Sequence, residues 1–133
     1  MKDPERFWIM FILLDQCYFT TQTAETDGLG GLLGAIDPDL WEDALPADPA
    51  IMHDWESLPA AGPLTQNAMR SQILLFLGNS GYADAFSFSL AAVRRWLDAL
   101  TPAQYAAARR EAAEQQAAWQ ARRDAWLAEE KHC

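Results

Sequence analysis

The chain of 133 residues is the size of one domain, long enough to bury a core and too short for two comfortable ones. Half of its residues are apolar, six Trp and six Phe among them, which excludes disorder by low hydrophobicity; its net charge of −9 argues against nucleic acid and membrane surfaces as partners and for basic proteins. The charge is regional, because no Lys or Arg stands between Arg6 and Arg70, while Glu25, Asp27, Asp37, Asp39, Glu42, Asp43, Asp48, Asp54 and Glu56 crowd one stretch.

In chain order, the first predicted helix starts at Pro4, with Asp3 as its N-cap, and runs to about Thr20. Its apolar residues occupy every face between Phe7 and Leu14, as expected of a central helix covered by the others. Eight apolar residues flanked by acids are too few to span a bilayer and lack the basic flank of a signal peptide. Cys17, inside an apolar run, and Cys133 at the end read as free thiols, which with the missing leader predicts a cytoplasmic protein.

Next comes the stretch DGLGGLLGAIDPDLWEDAL, residues 27 to 45. Its glycines suit a turn and a thin helix lying close to the bundle, with Leu29, Leu32, Leu33 and Ile36 inward. Two short acidic helical pieces follow, one around Leu40 and Trp41 and one around Ile51, Met52 and Trp55, punctuated by prolines. A helix is predicted from about Leu64 to Leu77, ending in Gly78-Asn79-Ser80-Gly81. Ser87 or Ser89 can cap the next, whose apolar face is Leu90, Val93, Trp96, Leu97 and Leu100. The last begins with the capping box Thr101-Pro102-Ala103-Gln104 and continues to about Glu129. Tyr105, Ala112, Trp119 and Trp126, spaced by seven, make a stripe for packing along a helix of the same chain or of a second copy. The expectation is one all-α domain over residues 1 to 133, a compact bundle of about five or six helices around the N-terminal one.

The residues that chemistry would need do not assemble. Gly28 to Gly34 fails the dinucleotide fingerprint at Leu33 and no strand precedes it; no Lys-Ser or Lys-Thr pair makes a phosphate loop. The acids from Asp37 to Asp48 do not keep the register of a calcium loop. His53 has no second histidine at ligand spacing, and Cys17 has no basic neighbour to lower its pKa. The pairs Arg94-Arg95, Arg109-Arg110 and Arg122-Arg123 have acids close by in sequence, which suggests ordinary ion pairs on helix surfaces. No cofactor, metal or catalysis is expected.

The segment TDGLGGLLGAI, followed by LPADPAIMHDW, resembles a group of small helical bacterial proteins associated with immunity to polymorphic or contact-dependent toxins. The shared positions are Leu29, Gly30, Leu32, Leu33, Gly34, Pro46, Asp48, Pro49, Ala50, Asp54 and Trp55, about thirty residues of chain; Gly28, Ala44 and Met52 depart from the pattern. The resemblance implies a non-catalytic inhibitor of a toxin. An acidic face suits that role, since toxin nucleases are basic and charge steers association. The candidate partner-binding residues are Asp27, Asp37, Asp39, Trp41, Glu42, Asp43, Asp48, Asp54 and Trp55, the two Trp as anchors. A helical interaction or scaffold module, homodimeric through the last helix, is the alternative.

Overall fold

The computed structural model describes residues 4–37, 49–59 and 62–130, and among them the fold is all-α with no strand. Seven helices follow in order: α1 Pro4–Thr21, α2 Leu29–Ile36, α3 Pro49–Glu56, α4 Gln66–Asn79, α5 Tyr82–Ala85, α6 Leu90–Ala99 and α7 Pro102–Glu130. The predicted piece around Leu40 and Trp41 and the Asp3 cap lie outside the described residues.

Helix α1 is central because every residue from Arg6 to Leu14 is buried, leaving no face for water. It packs chiefly against α7 and α2. Trp8 meets Trp119 of α7 with ring centroids 6.2 Å apart. On another side Phe7 meets Trp55 of α3 at 5.9 Å, Trp55 meets Phe76 of α4 at 5.3 Å, and Phe76 meets Tyr82 of α5 at 5.1 Å. These edge-on and tilted contacts are the arrangements aromatic quadrupoles favour, so one continuous aromatic row joins four helices.

Ser89 caps α6 as one of the two predicted candidates, accepting from the Ala92 amide at 3.2 Å, and Thr65, not foreseen as a cap, accepts from the Ala68 amide at 3.2 Å. The capping box at α7 is reciprocal: the Gln104 amide donates to Thr101 Oγ1 and the Thr101 amide donates to Gln104 Oε1. Ser87, the other candidate cap, has φ +60° and sits in the turn instead. Helix α4 starts and ends two residues later than predicted, since Thr65 is its cap and Gly78-Asn79 complete its last turn. Gly81, at φ +70°, then opens the four-residue α5.

The stripe of seven-residue spacing divides. Tyr105, Ala112 and Trp119 are buried within the chain, whereas Trp126 is 39% exposed near the end of α7. Cys17 is fully buried, and burial pushes its thiol up to about 11. In a Cys133→Ser variant, a thiol reagent such as DTNB should therefore find nothing at neutral pH until denaturant is added; rapid native labelling would contradict this packing.

Candidate functional site

The acidic region can be built from α2 outward. Leu29, Leu32, Leu33 and Ile36 are buried, and the chain leaves the helix at Asp37, whose amide donates to the Leu33 carbonyl at 2.8 Å. Helix α2 lies close because Gly28 stands where a side chain would collide and Gly30 where one would crowd its neighbour. A Cβ on Gly28 would fall 2.0 Å from the Phe86 carbonyl oxygen, and one on Gly30 would fall 3.1 Å from the Tyr18 hydroxyl.

This placement brings the half-buried Asp37 toward Asp15 of α1 and Glu111 of α7. Glu111 is held by neutral donors, the amides of Gln16 at 3.2 Å and Gln115 at 3.1 Å. Burial, then the charges of Asp37 and Glu111, raise the Asp15 carboxyl above its ordinary pKa. Among the described residues no group of three His, Cys, Asp or Glu is arranged to hold a metal ion, and Asp15, Asp37 and Glu111 form a field of like charge.

A carboxyl that is harder to ionise in the fold keeps its proton longer when folded. Stability therefore falls as pH rises from the ordinary carboxylate value through the raised one. Asp15→Asn should raise the thermal midpoint at pH 7 by about 2–4 °C, with the advantage fading below about pH 4. Melting curves of both proteins across that range check it; a lower midpoint at pH 7 would contradict the assigned repulsion.

The other candidates separate. Asp27 is exposed just ahead of α2, and no hydrogen bond or ion pair joins its carboxylate to another described residue. Asp54 is half-buried and accepts from the Tyr82 hydroxyl at 2.5 Å. Trp55 is only 2% exposed, in the aromatic row between Phe7 and Phe76, so it belongs to the core and is no surface anchor. Its neighbours in sequence are acids, but Ile51 and Trp55 are four apart and share the buried side of α3. Asp39, Trp41, Glu42, Asp43 and Asp48 lie outside the described residues.

The bases also differ from the local pairing expected. Arg95 bonds Glu25 at 2.7 Å, Arg109 lies 3.8 Å from Glu5, and Arg70 pairs with Asp98, all across different elements. Glu25 is thereby neutralised, while Asp15 and Glu111, which the sequence reading passed over, join the acidic region. Asp15 could have been found as the acid that ends the apolar run of α1; Glu111 carries no comparable signal.

One further feature adjoins Asp27. Between the end of α1 and the start of α2 lies an open hollow of about 430 Å³, lined by Tyr18, Phe19, Gln22, Thr23, Ala24 and Asp27. Phe19 is 58% exposed, the most exposed of the large apolar side chains among the described residues. Against known proteins the chain stands apart: no family model, no curated protein and no solved structure matches it.

Proposed function

We propose that this is a cytoplasmic immunity-type protein of bacterial origin, which binds a basic cognate toxin through the acidic region and neutralises it by occlusion, without catalysis. The observation that supports this reading most is the crowding of Asp15, Asp37 and Glu111, whose charges add to burial in raising the Asp15 carboxyl above its ordinary pKa, at the point where the chain enters its acid-rich stretch. Like charges kept together suit a basic partner, whose approach relieves the repulsion and is steered by the field. The residues proposed to meet it are Asp15, Asp27, Asp37, Asp39, Trp41, Glu42, Asp43, Asp48 and Glu111. Asp54 is tied to Tyr82 and contributes charge at most.

The test is capture followed by rescue. The immobilised full chain, exposed to a lysate of the source cells, should retain a basic polypeptide identifiable by mass spectrometry. Expressed alone, that polypeptide should arrest growth; co-expressed with this chain it should not, and it should be recovered intact and toxic after dissociation. A captured polypeptide that is harmless, or that returns cleaved or modified, would overturn the reading.

A further inference from the structure

We infer that the hollow between α1 and α2 is a receptor for one guanidinium side chain of the basic partner, with Phe19 and Tyr18 as its aromatic wall and Asp27 as its counter-charge. The inference rests on the reading of the protein as a binder of a basic partner and says where one contact is made.

The Tyr18 and Phe19 rings meet edge to face with centroids 5.1 Å apart, so the exposed Phe19 ring is braced by its neighbour. Tyr18 in turn lies against Gly30, where an added Cβ would come within 3.1 Å of its hydroxyl. The turn that carries the remaining lining residues is pinned from several directions. Thr26 is buried, and its hydroxyl meets that of Thr21 at 2.6 Å; the Glu25 carbonyl accepts from the Ser89 amide at 2.7 Å, and the Glu25 carboxylate holds Arg95. Gln22 has φ +43°, a conformation that L side chains rarely adopt and that persists where its surroundings fix it. A site of this kind is pre-organised, so binding does not have to order it.

The chemistry of the lining selects a planar cation. An exposed aromatic face attracts a guanidinium or ammonium, and a carboxylate with no partner among the described residues supplies the opposite charge. Arg fits better than Lys, because it stacks on rings, is more weakly hydrated and can bond a carboxylate through two N–H groups. A hollow of about 430 Å³ is within the usual range of small-ligand sites and admits one such side chain with its methylene stem. Among the described residues no Lys or Arg lines it, and Arg95, which pairs with the turn's own Glu25, is held there.

The experiment uses the full chain and N-acetyl-arginine amide as probe, with N-acetyl-lysine amide as comparison, followed by NMR chemical shifts. Saturable shifts should centre on Tyr18, Phe19, Ala24 and Asp27 and be larger for the arginine probe. Phe19→Ala and Asp27→Asn, both at exposed positions, should each weaken binding about two- to fivefold, the worth of one exposed cation–π or ionic contact. Shifts scattered over the acidic surface, or unaltered by both variants, would overturn the proposal. The captured partner separates this from the broader reading. If it binds Phe19→Ala and Asp27→Asn as tightly as the parent, the hollow is not its contact and the acidic-face reading stands; if no basic partner is captured while the probe binds as expected, the hollow stands as a guanidinium site and the reading falls.

Discussion

Trp55→Ala should destabilise the protein by about 3–5 kcal/mol, the usual consequence of emptying a large buried aromatic site. Trp55 closes the aromatic row between Phe7 of α1 and Phe76 of α4, so its removal strips contacts from both sides and leaves a cavity the helices cannot fully close. Against a typical total of about 5–15 kcal/mol for a domain, that is enough to populate unfolded chain at physiological temperature. Urea denaturation of the variant and parent measures it directly. Partner binding by whatever remains folded should be unchanged, because Trp55 offers no surface; a stable Trp55→Ala protein that binds weakly would restore the residue to an interface and contradict its burial.

Gly28→Ala and Gly34→Ala should move stability in opposite directions, although both glycines belong to the same seven-residue run. At Gly28 the added Cβ would overlap the carbonyl oxygens of Phe86 and Ser87, at 2.0 and 2.6 Å, and neither is the end of a flexible side chain. The turn before α6 must shift, at a cost of about 1–3 kcal/mol or more. At Gly34 nothing lies within 4 Å and the residue is inside α2, so alanine should stabilise by about 0.5–1 kcal/mol. Thermal melts of the two variants decide this, and equal effects would mean that α2 does not lie against the turn at residues 86 and 87.

These cases show what the sequence could and could not convey. Helices α1, α4, α6 and α7 were legible because each is long or periodic, and α1, α6 and α7 bear start signals at Pro4, Ser89 and the Thr101–Gln104 box, whereas the Thr65 cap of α4 was missed and its start misplaced by two residues. Helix α5 was not: four residues hold no period, and its opening depends on Gly81 at φ +70°. The inward leucines of α2 were legible from their spacing, but not that Gly28 is pressed against Phe86, 58 positions on in the chain. Ion pairs such as Arg95 with Glu25, and the crowding of Asp15 with Glu111, are likewise products of tertiary packing that local charge patterns cannot foretell. Trp55 read as surface because acids surround it in sequence, whereas its four-residue spacing from Ile51 placed it inward. The exposed Phe19 beside Asp27 carried no signal at all, since an aromatic residue at the end of an apolar helix reads as core.

The account stands most directly on one kinetic measurement. Stopped-flow association of the captured partner would be followed with the parent chain and with a variant in which Asp37, Asp39, Glu42 and Asp43 are replaced by Asn or Gln, at low and at high salt. The acidic-face account predicts that the parent's on-rate falls at least about tenfold from low to high ionic strength, and that the neutralised variant, with unaltered helical signal, associates slowly at low salt and responds little to more. An on-rate indifferent both to salt and to the four substitutions would contradict it.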